Sequence, residues 1–349
     1  MTSMTILLRL YSVLKGAGPF WGHAISYVIM AIIMLIFVAI ALVGMIYLFR
    51  KYMARLQRRI GPNRVGKFGI FQLIADALKL VGKENIFPGG RDDLPYKIAP
   101  MFVIFGLFAA FTVLPYGFFP YFGNITVTNS SVSIILLFAF IAIMPIGEVL
   151  AGVSSRNKYA LIGALRAVAK DVSFEVPMML SVIAVVLMSS ARTTSALNLQ
   201  SIVETQFIPF GIIEPLGIFV FFVSMVARAS YAPFDLGESE SELVSGFSTE
   251  YTGMRFGIFY MGLFGSIFLG SLVLSNLYLG GYSGPFGTTV GWVWLMVKSL
   301  ILVFIFFTIW LSMPRMRVDK FVNFGWKYLL PIAFVNLVLS GFIALGLGW

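Results

Sequence analysis

Five carboxylates, Asp235, Glu238, Glu240, Glu242 and Glu250, fall within sixteen residues of a chain that is otherwise apolar and basic. Long uncharged segments flank them on both sides, which places them at the edge of a membrane. Crowding and a low dielectric both disfavour ionisation, so carboxylates placed there hold their protons more tightly. Groups tuned in this way can take up and release protons near neutral pH. A solvated acidic loop is the plainer reading, and the surroundings argue against it. On a helix Glu238 and Glu242 would share a face while Glu240 pointed away. Like charges at that spacing destabilise a helix, so the segment requires bound protons, basic partners or a non-helical path.

Other ionisable residues accompany them. Glu148 and Lys298 lie inside uncharged runs, and Glu175 stands just before Pro177. Intramembrane ionisable residues are by default parts of ion pathways, with a structural ion pair as the alternative. Arg166 and Lys170 are four apart and share a helical face, and Arg228 and Arg255 bracket the acidic stretch. These four are the basic groups placed to balance or oppose the acids.

The elements that carry such groups must be membrane spans. The 349 residues are 59% hydrophobic and 11% charged, which describes a polytopic membrane protein and not a soluble domain. Cysteine is absent and His23 is the sole histidine. The chain itself therefore offers no disulfide, thiolate or iron–sulfur ligation, and no histidine metal site.

Uncharged runs predict an all-α membrane protein, one polytopic domain over 1–349. Its eight spans fall near residues 24–49, 98–118, 131–151, 172–191, 207–227, 256–279, 291–313 and 328–349. Residues 123–131 and 280–288, rich in Asn, Ser, Thr, Gly and Pro, divide runs too long for one crossing. Eight crossings put both termini on one side. Twenty-one Lys and Arg fall in the large loops of one face, against Arg9, Lys15 and Arg192 on the other. The positive-inside rule makes the basic face cytoplasmic or matrix-like and both termini outer. The net charge of +10 follows from this topology, and nucleic-acid binding is not needed to explain it.

The first basic loop carries Arg55, Arg58, Arg59 and Arg64, closed by Gly61-Pro62-Asn63. A rigid cationic patch of this kind suits carboxylates on a partner, with phospholipid contact as the alternative. Over residues 68–81, Ile70, Phe71, Ile74, Leu78 and Val81 share one helical face, which predicts an amphipathic helix in the interface. Residues 1–18 alternate short apolar runs with Arg9 and Lys15. They read as a small interfacial helix and not as a cleaved leader.

Five motifs carry a resemblance. They are residues 57–66 (QRRIGPNRVG), 74–84 (IADALKLVGKE), 158–177 (KYALIGALRAVAKDVSFEVP), 233–257 (PFDL, ESELVSGF and EY) and 314–331 (PRMRVDKF, GWKYLLP). Through them the chain resembles the H-subunit family of respiratory complex I, the proton-pumping NADH:quinone oxidoreductase, over nearly its whole length. The resemblance implies a subunit of an energy-transducing membrane, most simply a cell inner membrane with a periplasmic outer side. That subunit joins a peripheral arm of iron–sulfur subunits to antiporter-like membrane subunits. It implies a substrate quinone (ubiquinone, menaquinone or plastoquinone) or methanophenazine, with no redox centre in this chain. The quinone chamber would include Gln57, Arg59, Arg64, Phe234 and Asp235. The proton path would include Glu148, Glu175, Asp235, Glu238, Glu240 and Glu242.

Several positions depart from the family pattern. Phe49 and Leu263 stand where the family usually has Glu, Arg228 replaces a Glu, Tyr231 an Arg and Lys170 a Gln, while Glu148 adds an acid. The alternative is the equivalent subunit of an F420H2- or ferredoxin-linked dehydrogenase, of a methanophenazine reductase, or of a membrane-bound hydrogenase. A stand-alone secondary transporter would show inverted repeats, and neither the spans nor the loops repeat.

Overall fold

Uncharged runs become helices because in hydrocarbon each backbone N–H and C=O must be satisfied within its own segment. A computed structural model describes residues 19–119, 123–124, 127–128, 130–285 and 290–346. The expected interfacial helix over residues 1–18 lies outside these, as do the side chains of His23 and Glu240. The described residues are all-α apart from a small hairpin pairing Phe118–Phe119 with Gly123–Asn124.

The helices, in chain order, are α1 (Pro19–Leu56), α2 (Gln72–Gly82), α3 (Asp93–Val113), α4 (Ser133–Ser154) and α5 (Lys158–Ser190). There follow α6 (Leu199–Thr205), α7 (Phe210–Ile213), α8 (Pro215–Arg228), α9 (Glu240–Leu243) and α10 (Gly253–Tyr278). The last are α11 (Gly291–Ser312), α12 (Val318–Phe324) and α13 (Leu330–Gly346), the latter two joined by a π-helical turn over Gly325–Leu329.

Among the described residues seven helices are long and apolar enough to cross a membrane, close to the eight spans expected. The exception is the fifth crossing. It breaks at Glu214, whose backbone leaves helical geometry (φ −116°, ψ 68°), and resumes with Pro215 as its first residue. Proline lacks the N–H that would continue the ladder. The 14 residues of α8 span roughly 21 Å, short of the roughly 30 Å hydrocarbon core.

Three spans run well beyond their expected limits, and others by a few residues. α1 continues to Leu56 and α5 starts at Lys158, because Lys and Arg are good helix formers and no breaker intervenes. Asn157 caps α5 by accepting from the Tyr159 N–H at 3.0 Å. Arg166, Lys170, Asp171 and Glu175 therefore share one rigid helix that runs into the membrane. The final crossing likewise begins at Val318.

Close helix approach depends on small residues. A Cβ added at Gly106 of α3 would lie 2.8 Å from the Phe140 carbonyl, and one at Gly147 of α4 would lie 2.7 Å from that of Ala99. The α3–α4 pair and α10, the most enclosed candidate span, bring residue 148 against α5 and α8.

The amphipathic segment forms α2, preceded by a 3₁₀ turn over Lys67–Gly69. Its apolar residues Ile74, Leu78 and Val81 are exposed, as are Ile70 and Phe71 before it, which fits a face turned to lipid. Arg50 of α1 pairs with Asp76 of α2. Partial burial alone would raise the Asp76 carboxyl, but hydrogen bonds from Arg50 and Gln72 and the charge of Lys79 outweigh it and leave it below the usual range.

The loops sort into two ends. At the basic end Arg156 meets Asp92 at 2.6 Å and the Tyr96 hydroxyl donates to the Glu250 carbonyl at 2.7 Å. At the other end Lys298 donates to three carbonyls, those of Leu279, Gly281 and Ser283, at 2.7, 2.9 and 2.7 Å. Its three N–H donors are thereby used in holding a loop, which is a structural role.

The orientation can be tested with single cysteines, since the chain has none. Pro285 and Lys158 are exposed, whereas Ser239 is 1% exposed and would escape labelling on either face. With intact cells an impermeant thiol reagent should label Pro285→Cys and spare Lys158→Cys. Labelling in the reverse order would invert the topology.

Candidate functional site

The acidic stretch takes none of its three expected routes alone. A single α-helical turn forms at Glu240–Leu243, with a 3₁₀ turn at Gly246–Ser248, so Glu238 lies outside both and does not share a helix with Glu242. The remainder is held by basic and amide partners. Glu242 accepts from Arg166 at 2.5 Å, Asp235 from Arg315 at 2.6 Å, and Glu250 from the Asn157 amide at 2.6 Å. The backbone packs directly on α5. A Cβ at Gly163 would lie 2.8 Å from the Gly237 carbonyl, and one at Gly246 (φ 55°) would collide with that same oxygen.

Behind this stretch is a cavity of about 360 Å³. One wall is polar, with Asp235, Glu238, Ser245 and Arg315; the other is aromatic, with Phe49, Tyr231, Phe256, Tyr260 and Trp310. Trp310 stacks on Phe49 at 4.2 Å and on Tyr231 at 3.6 Å between ring centroids. The Tyr231 hydroxyl is buried and finds no hydrogen-bond partner among the described residues. The cavity thus offers a flat apolar slot with hydroxyl, carboxylate and guanidinium groups at its edge.

Leu263 of α10 closes the cavity on its inner side, and its other flank lines a small void of about 10 Å³ with Glu148, Asp171 and Arg228. Here the buried charges gather. Lys170 is 1% exposed, bonded to the Ser230 hydroxyl and 3.5 Å from Asp171. Arg228 lies 3.8 Å from Glu175 and donates to the Ile141 carbonyl at 2.5 Å. One oxygen of Glu148 is enclosed without a hydrogen bond, facing Lys170, Asp171 and Arg228. Three acids and two bases from α4, α5 and α8 form one cluster, and buried charges persist only when balanced in this way.

The other expected site residues are placed elsewhere. Phe234 packs on Phe174 and Phe321, at 5.5 and 5.2 Å, and does not line the cavity. Gln57, Arg59 and Arg64 are exposed in the basic loop, where Arg59 donates to Gln57 at 2.9 Å. Arg255 joins Arg91 over the Phe87 ring, at 4.5 and 4.4 Å, and does not meet the acid cluster. The side chain of Glu240 is outside the described residues. Asp171, Arg315, Tyr260 and Trp310 were not anticipated. The charge of Asp171 beside Lys170 in an apolar helix was a usable signal; Tyr260 joins the cavity from the helix after the acidic stretch, and Arg315 and Trp310 are brought in from far along the chain.

The sequence model of the NADH dehydrogenase family matches residues 28–341. The chain belongs to that family. Two relatives are the H-subunit proteins of NADH-quinone oxidoreductase from Dehalococcoides mccartyi strains CBDB1 and ATCC BAA-2266 / KCTC 15142 / 195. Each is 37% identical over 327 residues, 93% of this chain and 88% of the relative. With the long apolar helices, membership makes this an integral membrane protein.

Within the family frame, the departures noted in the sequence are not scattered. Phe49, Tyr231 and Leu263 line the same cavity, and Lys170, Arg228 and Glu148 meet in the same buried cluster. Apolar and aromatic side chains stand at these three cavity positions, and ionisable ones gather behind Leu263.

Glu242 differs from the expectation of a raised carboxyl. It is over half exposed, and the Arg166 hydrogen bond holds it below the usual carboxylate range. A depressed carboxyl contributes its stability above its unfolded pKa and loses it as pH falls through the folded one. Glu242→Gln should therefore leave the neutral pH profile of turnover unmoved and shift only acid stability. A changed profile between about pH 6 and 8 would show that Glu242 titrates there.

Proposed function

We propose that this chain is the membrane subunit of a complex I-type redox-driven proton pump in which the 360 Å³ cavity receives the headgroup of a quinone. The observation that carries the reading is Leu263, one side of which faces the cavity and the other the buried charge cluster. Chemistry in the cavity is thus one side chain away from charges held in the membrane. The volume falls within the range of small-molecule sites. The stacked Phe49, Trp310 and Tyr231 suit a planar ring.

Quinone reduction takes up two electrons and two protons to give the quinol. The electrons come from iron–sulfur subunits of the peripheral arm, docked on the basic loop around Arg55, Arg58, Arg59 and Arg64. The protons come through the polar wall, where Asp235 and Glu238 stand and Asp235 is oriented by Arg315, with Tyr260 lining the same cavity. Loss of negative charge there changes the field on Glu148, Asp171 and Glu175. Those acids form the start of a path toward the antiporter-like subunits. In a low-dielectric region such a change is weakly screened.

The deciding experiment is lipid extraction of the purified complex with identification of what co-purifies. A quinone in near-stoichiometric amount, displaced by a Trp310→Ala exchange in this chain, supports the reading. A phenazine would shift it to a methanophenazine reductase, and no lipophilic acceptor at all would favour a membrane-bound hydrogenase.

A further inference from the structure

At the end of the membrane opposite the acidic stretch, the fifth crossing is interrupted by an acid. Glu214 is the hinge between α7 and α8 and is 2% exposed. Asn336 stands beside its carboxyl, yet neither oxygen accepts a hydrogen bond of good geometry from the described residues. Three polar tips converge above Gly217. A Cβ there would lie 2.9 Å from Asn336 Nδ2, 3.1 Å from the Tyr278 hydroxyl and 3.2 Å from Glu214 Oε2. Asn336 on α13 and Tyr278 on α10 are themselves buried, and Tyr278 donates to the Ser181 carbonyl of α5 at 2.9 Å. Among the described residues the groups facing Glu214 are Asn336 and the titratable Tyr278; no lysine or arginine pairs with it.

An ionised carboxylate enclosed without a cation has nothing to offset the loss of hydration, and taking up a proton removes that cost. A structural acid at a helix break would be expected to cap the N–H groups of the next turn, and Glu214 makes no such cap. The carboxyl is instead turned toward Asn336 and Tyr278. One helical turn away, Pro209 lines an open cavity of about 1100 Å³ at the outer-loop end, with Gln206, Tyr282 and Lys298. The inner charge cluster is at the far end of α8, about 21 Å distant along the helix, beyond the apolar Phe221, Met225, Met144 and Met178.

We infer that Glu214, with Asn336 and Tyr278, is a proton-binding site that exchanges with the side of the membrane opposite the basic loops. It is separate from the acids of the chamber and its cluster. The inference rests on the pump reading only for the use made of the proton, and its test needs neither electron donor nor acceptor.

The test is labelling of the assembled complex in membrane vesicles with dicyclohexylcarbodiimide, followed by peptide mass spectrometry. The reagent attacks a protonated carboxyl in an apolar setting. The acid O–H adds across one C=N bond to give an O-acylisourea, which rearranges to a stable N-acylurea; an ionised carboxylate is spared. The expected result is an adduct on Glu214. Its yield should fall at least about fivefold as the pH of the outer-side medium rises by about two units, whatever the sodium concentration. Raising pH only on the basic-loop side should leave it unchanged. The absence of an adduct at every pH, an adduct insensitive to outer pH, or labelling blocked by sodium would each overturn the site. Because the wild-type complex is labelled directly, a variant that fails to assemble cannot obscure the answer.

Discussion

Asp235→Asn should lower acceptor reduction by roughly ten- to a hundredfold in a complex that still assembles. The exchange preserves size and one acceptor oxygen but removes the charge that holds Arg315 at 2.6 Å across the polar wall of the cavity. A hydrogen bond between charged groups contributes about 1.5–3 kcal/mol, and each 1.4 kcal/mol corresponds to roughly a factor of ten. That contribution falls on turnover, and not on folding, if the pair orients groups toward the acceptor. The readouts are the yield of assembled complex and the turnover with a soluble quinone analogue. Normal turnover, or loss of the complex before loss of rate, would remove Asp235 from the chamber chemistry. Arg315→Lys makes the companion measurement. A point charge cannot reproduce the forked contacts Arg315 makes to both Asp235 and the Ser239 hydroxyl, so it should lose rate while keeping assembly.

The buried cluster gives the second large effect, with the opposite partition. Arg228→Ala removes the cation shared by Glu175 and Glu148 and vacates the Ile141 carbonyl. Breaking a buried pair by deleting one partner costs about 3–5 kcal/mol, enough to lower the yield of assembled complex by two orders of magnitude or more. Glu148→Gln and Glu175→Gln keep shape and hydrogen-bonding capacity, so assembly should survive. In these two, coupled proton translocation should fall several-fold while uncoupled acceptor reduction is largely kept. Fluorescence quenching of a pH-sensitive dye in vesicles, set beside the rate of donor oxidation, separates the two. If Arg228→Ala assembled normally, the cluster would be no more than a solvated set of charges. Fully coupled Glu148→Gln and Glu175→Gln enzymes would exclude the acids from the path.

The two regions respond differently because their dielectric surroundings differ. The pairs of the acidic stretch lie near water, where Glu242 is over half exposed and its ion pair with Arg166 is screened. Lys170 and Asp171 are nearly sealed, at 1% and 7% side-chain exposure. Removing a charge from the first place is a local event. In the second it unbalances groups drawn from three helices.

Composition alone determined the class of this protein. An apolar fraction of 59%, gathered into uncharged runs long enough to cross a bilayer as helices, marks a helical membrane domain, because lipid offers the backbone no partners. The amphipathic segment at α2 was legible too, since the 3.6-residue period of its apolar face is a local property. The family was readable from five motifs, and Glu148 and Glu175 could be singled out because charge within an apolar run is rare. What remained hidden was non-local. The break at Glu214 was missed because an acid next to proline within an apolar window still scores as one span. α1 and α5 outran their hydrophobic cores because helix propensity, not hydropathy, decides where a helix stops. No spacing in the chain indicates that Phe49, Tyr231, Leu263 and Trp310 line one cavity, or that Asp235 would pair with Arg315, 80 residues away. Those meetings depend on which faces of α1, α10 and α11 turn inward. Only the packing of the assembled helices, through contacts as specific as Gly106 and Gly147 allow between α3 and α4, decides that.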